Sequence, residues 1–177
     1  MKNKIYTITC ILISTLIASC SSDDDMDYQT DFNNSKNAWE QFKATSNNSY
    51  SYVTSGGSVF TEYGWETTIT VFNGVIITRE FKFTPGAEDY IPVDELEWTE
   101  NENEINSSEH EYTSATVART LDEIYYISEN DWLLKRKDAT SYFETENNGL
   151  ISMSGYVKKA CQDDCFVGIT IKSIEAL

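Results

Sequence analysis

The chain reads as an α+β protein: an antiparallel sheet of five to seven strands with two helices packed on one of its faces, in a single domain. Three observations carry that expectation. Asn73-Gly74 lies between two alternating apolar runs, the strongest short-range hairpin signal, because both central residues of a type I′ turn need positive φ. Thr120-Leu121-Asp122-Glu123 has capping-box spacing, in which the Thr hydroxyl and the Glu carboxylate each satisfy a free backbone N–H at a helix start. The last forty residues alternate again around an Asn147-Asn148-Gly149 turn, as strands do.

At the N-terminal end, Lys2 and Lys4 precede an apolar stretch over 5–18 that closes on Ala18, Ser19 and Cys20. This is the pattern of a secretory signal peptide, here residues 1–19. The stretch is shorter than the roughly 20 residues of a membrane-spanning helix, and Asp23 to Asp25 is a poor stop-transfer flank. Ile17-Ala18-Ser19-Cys20 resembles a bacterial lipobox. The resemblance implies that Cys20 becomes the first mature residue and carries a diacylglyceryl thioether and an N-acyl chain, so that the partner of this end of the chain is a lipid bilayer. Each buried methylene contributes about 0.8 kcal/mol, and several chains anchor far more firmly than one. The competing reading is an ordinary signal peptide cut at Ser19, which leaves a free Cys20 thiol.

Ser21-Ser22-Asp23-Asp24-Asp25 is similar to the acidic export signal that follows the lipid-bearing Cys in surface lipoproteins of Bacteroidota. That likeness implies a cell outer membrane protein, lipid-anchored and exposed on the outer face; a solvated acidic linker in a periplasm-facing lipoprotein is the alternative. Residues 20–34 are polar and unpatterned and read as a tether, with the folded domain at 35–177.

Removing residues 1–19 takes away Lys2 and Lys4 and leaves 11 basic against 29 acidic residues, a formal charge of -18. Nucleic acid is excluded as a partner by that charge.

Within the domain, Ser35 is placed to cap a helix over 35–45 that buries Trp39 and Phe42, three apart on one face. A ligand-stacking Trp39 is the alternative. Tyr50, Tyr52 and Thr54 alternate as one strand. Trp65, Thr67, Ile69 and Val71 share a face of the next, and Val75, Ile77, Phe81 and Phe83 continue the apolar face after Asn73-Gly74.

Residues 88–111 hold ten acids and no Lys or Arg. They read as a solvated, mobile acidic insert, with Trp98 as the residue able to overturn that by docking on the sheet. No Asp-x-Asp-x-Asp-Gly spacing marks a calcium loop, and a weak divalent-cation site is the alternative.

The capping box opens a helix expected to run to about Lys135, with Leu121, Ile124, Tyr125 and Ser128 on one face. Lys135-Arg136-Lys137 suits its negative end, or forms a small partner patch. The closing strands are expected at 142–146, 150–157 and 166–174. Cys161 and Cys165 are the cysteines left after the lipobox residue, and a disulfide is the default in an exported protein. A redox pair, free thiols or a metal site are the alternatives, although zinc would need two more soft ligands and His110 is the only histidine.

The order of these marks, from the Trp39 helix through Tyr50-Ser51-Tyr52, Asn73-Gly74, Thr120-Leu121-Asp122-Glu123-Ile124, Tyr142 to Gly149 and Asp163-Asp164 before Phe166, resembles a family of small exported bacterial domains of unknown function. It implies a fold over about 38–175 and no catalytic residues; the acidic insert departs from the pattern.

Catalysis has little to work with. His110 has no Gly-x-Ser-x-Gly context around it, and no cofactor motif or metal-ligand cluster stands out. The expected function is a non-enzymatic, lipid-anchored envelope protein with a binding or accessory role toward a protein or a glycan. The rival is a small glycan-active hydrolase using paired carboxylates. The two differ in what a structure should show: two carboxyls about 5 to 10 Å apart in a cleft with displaced titration, or an exposed aromatic patch.

Overall fold

The computed structural model describes residues 25–58, 60–107, 114–162 and 165–177. The expected signal peptide at 1–19, Cys20, His110 and the Asp163-Asp164 pair lie outside them. One seven-stranded antiparallel sheet is covered on one face by two helices, as the sequence predicts.

Helix α1 spans Gln29–Thr45, so it begins at Gln29 and not at Ser35. Phe32, Ser35 and Trp39 form its buried stripe, with Asn33 and Asn34 facing solvent. Those polar residues read as linker until the stripe beside them is recognised. Ser35 caps nothing; its Oγ lies 2.8 Å from the Tyr125 hydroxyl in the core. The folded part begins before residue 35, within the stretch expected to be tether, because Met26 is buried and bridged to Leu134. Asp27 N–H donates to Leu133 O at 2.8 Å, and Lys135 N–H donates to Asp25 O at 2.9 Å.

The strands are β1 (Tyr50–Gly57), β2 (Gly64–Phe72), β3 (Val75–Phe83), β4 (Glu97–Asn101), β5 (Ala139–Glu144), β6 (Met153–Lys158) and β7 (Phe166–Ala176). Their order across the sheet is β4-β3-β2-β1-β7-β6-β5. Two meanders are thus joined where the last strand pairs with the first. Asn73 and Gly74 form the β2–β3 turn with φ of 49° and 81°, and Gly74 N–H donates to Asn48 O at 2.8 Å. The register then slips between Thr70↔Thr78 and Val71↔Ile76. This bulge changes the phase of β3, because one extra residue moves its neighbours to opposite faces. Ile76, not Val75 or Ile77, therefore begins the core-facing set, and Val75 is exposed. Arg79 falls in phase with Phe81 and is buried beside it.

The helix-covered core joins Tyr50, Tyr52, Ile69, Val71, Ile169 and Ile171 of the sheet to Phe32 and Trp39 of α1. Helix α2 (Leu121–Ile127) supplies Leu121, Ile124 and Tyr125 behind a complete Thr120/Glu123 capping box. Trp39 is core: its ring stacks on Tyr125 at 6.1 Å, meets Tyr50 edge-on at 5.3 Å, and its N–H donates to Asp122. The buried phenols have partners, as burial requires. Tyr50 accepts from Leu121 N–H, Tyr52 donates to Arg119 O and Tyr125 donates to Ser35 O. Burial raises the first two phenols, and pushes Tyr125 up to about 12, so all three stay neutral.

After Ile127 the helix widens into a π-type turn over Ser128–Trp132, short of Lys135. Arg136 terminates it by donating to the carbonyls of Trp132 and Leu134 and to Asp131, with its guanidinium 4.0 Å from the Tyr156 ring centre. Within the basic triplet, Arg136 is a helix-end residue.

The acidic insert is the main departure from expectation. In its described part, 88–107, it is not wholly a solvated excursion: most of its acids are exposed, but β4 adds the seventh strand, pairing Thr78↔Asn101 through Lys82↔Glu97. Trp98 does dock, stacking on Phe81 at 5.2 Å. Glu100 is 1% exposed and Arg79 7%. The Arg79 guanidinium meets both Glu100 oxygens at 3.1 and 3.2 Å, and donates also to Thr116 O and Ala115 O. Asn106 N–H donates to Glu100, and the Asn106 amide exchanges two bonds with Ala118. A buried ion pair persists only with such complete hydrogen bonding, because desolvating each charge costs several kcal/mol. One arginine thus ties β4 and the loops over 101–107 and 114–118 to β3.

Candidate functional site

Beyond Gly57 and Phe83 the sheet ends in two connections, over 58–63 and 84–96, that lie side by side. Thr84 fixes their spacing: its Oγ1 accepts from Gly64 N–H at 2.7 Å, and its N–H donates to Gly64 O. Ala87 is fully buried and its carbonyl accepts from both Tyr90 and Ile91 N–H, which turns Tyr90 toward the neighbouring connection. Tyr63 and Tyr90 stack at 5.8 Å with 29° between planes, and Tyr63 meets Phe83 edge-on at 5.8 Å.

An aromatic line therefore runs from solvent into the sheet: Tyr90, Tyr63, Phe83, Phe81, Trp98 and then the Arg79 guanidinium. At its outer end Phe60 is 78% and Tyr90 73% exposed. Together with Thr61, Glu62, Tyr63, Gly86 and Asp89 they line a groove of about 450 Å³, within the ~300–1,000 Å³ of small-ligand sites. Exposed rings offer flat apolar faces, and the flanking carboxylates offer acceptors. The groove suits a ligand with an apolar face and hydroxyl or cationic donors at its rim.

Neither Glu66 nor Glu88 is the protonated acid that a hydrolytic pair needs. Glu66 is held below the usual carboxylate range by hydrogen bonds from Lys172 and Lys82. Glu88 is held down by backbone N–H donors at its own residue and Gly86. Among the described residues no group of three or more His, Cys, Asp or Glu is arranged to hold a metal ion. That includes the described part of the insert considered as a divalent-cation site.

Cys161 and Cys165 are joined in a disulfide, with Cα atoms 6.1 Å apart, that closes the β6–β7 connection. Phe60, Tyr63 and Tyr90 escape a reading of the sequence because they sit in turns and follow neither strand nor helix period. The available signal is their occurrence as aromatics among Gly, Asp, Glu and Pro residues.

Comparison with known proteins finds no match: no family model, no curated protein and no solved structure is similar to the chain.

Proposed function

We propose that the chain is a non-enzymatic, lipid-anchored protein of the bacterial cell envelope whose domain binds a neutral glycan at the aromatic tip. The observation that carries the binding half is that Phe60 and Tyr90 are both exposed in one groove, with Tyr90 stacked on Tyr63. Tyr90, held by its stack on Tyr63, and the exposed Phe60 that lines the same groove mark an interaction surface. The C–H faces of a pyranose pack on such rings while its hydroxyls donate to Glu62 and Asp89. A neutral ligand avoids the repulsion that the mature chain, at -18 once residues 1–19 are removed, exerts on anionic polymers.

Support for the anchor comes from Lys2, Lys4, the apolar run and Ile17-Ala18-Ser19-Cys20, and an acylated Cys20 would hold the domain at the membrane without its help. Binding is tested by affinity electrophoresis through neutral polysaccharides, comparing the native chain with Phe60→Ala/Tyr90→Ala. Retardation lost in the variant at unchanged melting temperature is the expected result; equal retardation, or none in any neutral polysaccharide, overturns the reading. Anchoring is tested separately by detergent phase partitioning of Cys20→Ser, which should move to the aqueous phase.

A further inference from the structure

The sheet is forked. β1 and β7 pair from Tyr50↔Ala176 to Thr54↔Ile171. Past that point β1 pairs only with β2, as far as Gly57↔Gly64, and β7 pairs only with β6, as far as Val157↔Phe166. Residues 55–57 and 166–170 therefore face each other, each with one backbone edge outside the ladder of the described residues. Between them lies a groove of about 590 Å³ whose lining includes Ser55, Gly57, Trp65, Thr116, Phe166 and Thr170. Ser55, Gly57, Phe166, Val167 and Gly168 are exposed.

Each prong is packed on its own neighbour. The Trp65 indole lies over Gly56 so closely that a Cβ there would come within 2.5 Å of it, and the Phe166 ring covers Gly155 at the same distance. On the helix side, the loop at Thr116 is pinned across the crotch of the fork by Thr54 Oγ1 at 2.7 Å and by Thr67 Oγ1.

We propose that the fork binds an extended, basic polypeptide segment as an inserted strand. A row of unpaired N–H and C=O groups is a template for another strand, and here two rows face one gap. At ~3.3 Å per residue, the prongs match roughly three to five residues of a guest. Glycines and hydroxyl side chains leave room for its backbone, and the two aromatics offer flat contacts. Charge selects the guest: the chain is at -16, and the adjoining groove at Ser55 and Thr170 continues past Glu144, Glu146 and Lys172, the last already paired with Glu66 at 2.6 Å. Basic flanks are favoured there and acidic ones repelled.

The test uses the folded domain and a capped octapeptide of alternating Thr and Val between terminal lysines, at millimolar concentration. Two controls accompany it, one with Pro at alternate positions and one with Glu in place of Lys. Amide hydrogen exchange followed by NMR should slow by about tenfold or more at residues 55–57 and 166–170 with the lysine peptide. The proline control should have no effect and the glutamate control a weaker one. Gly57→Trp, whose Cβ meets only Gly64 Cα at 3.8 Å, should fold and abolish the protection by filling the mouth. Tyr90→Ala should leave it intact. The proposal is overturned by absence of protection, by equal protection from the proline control, by protection that survives Gly57→Trp, or by protection at Tyr63 and Tyr90 instead. It is also overturned if the free domain is a dimer whose contacts already protect the fork.

Discussion

Tyr50 and Glu100 are buried almost equally, at 0% and 1% exposure, in regions of one sheet built by opposite means. Around Tyr50 the chain assembles apolar stripes from α1, α2, β1 and β2, and the few polar atoms are mostly neutral groups bonded to backbone. Around Glu100 a strand from the most acidic stretch is drawn onto the sheet edge by a single guanidinium and a stacked Trp98. The first region tolerates the loss of one hydrogen bond because many contacts hold it. The second concentrates its specificity in one ion pair, so its loss should be all or nothing for β4.

The largest expected effect is at the first region's centre. Trp39→Ala removes the ring shared by α1, α2 and β1, and should cost about 3–5 kcal/mol; at ~2–4 °C per kcal/mol for a domain of this size, calorimetry should show a fall near 10 °C or more. A comparable loss should follow Arg79→Ala, which leaves Glu100 buried without its cation, at about 3–5 kcal/mol. The comparison sharpens in the double variant Arg79→Met/Glu100→Met, expected near native stability because both charges go together; if it is as unstable as Arg79→Ala, packing and not charge is what Arg79 supplies. Replacing residues 99–107 by a Gly-Ser linker should likewise lower the melting temperature by more than about 5 °C, since it deletes Glu100 and Asn106.

Smaller effects belong to the turns and caps. Gly74→Ala places a Cβ at φ 81° and 2.6 Å from Asn48 Nδ2, and should cost about 1–3 kcal/mol; Thr120→Ala, by losing the cap, about 1 kcal/mol. The smallest is electrostatic. Glu66 is lowered by Lys172 and Lys82, so its contribution is complete above the unfolded value of about 4.3 and is lost as pH falls through the lower folded value. Both lysines are more than half exposed, which limits the pair to under about 1 kcal/mol. Denaturant melts of Glu66→Gln between about pH 6 and 3 should show a slightly flatter acid limb than the native chain.

What the sequence makes legible follows the same division. Asn73-Gly74, the Thr120/Glu123 box, the Trp39 stripe and the Cys161–Cys165 pair rest on local rules, and the structure contains each of them. β4 is not legible in that way because its stabilising partner, Arg79, sits on another strand, and charge counted along residues 88–111 says nothing about a cation across the sheet. A lone Arg in phase with Phe81 and Phe83 is the available clue, obscured by the bulge at Ile77. The aromatic tip and the fork are hidden for a related reason: the first is assembled from two connections, the second from strands at opposite ends of the chain.

That last arrangement sets an order in time. The strand beside β1 in the middle of the sheet is β7, so Tyr50 waits for Ala176 before the two meanders can become one sheet. A chain emerging from its N-terminal end can form β1 to β4 and then the β5–β6 hairpin, but nothing joins the two until β7 is in place, and such non-local closure is slow. For the exported protein proposed above, this delay is useful. A precursor whose sheet closes only once β7 is available would stay threadable during that export, and would lock only on the far side.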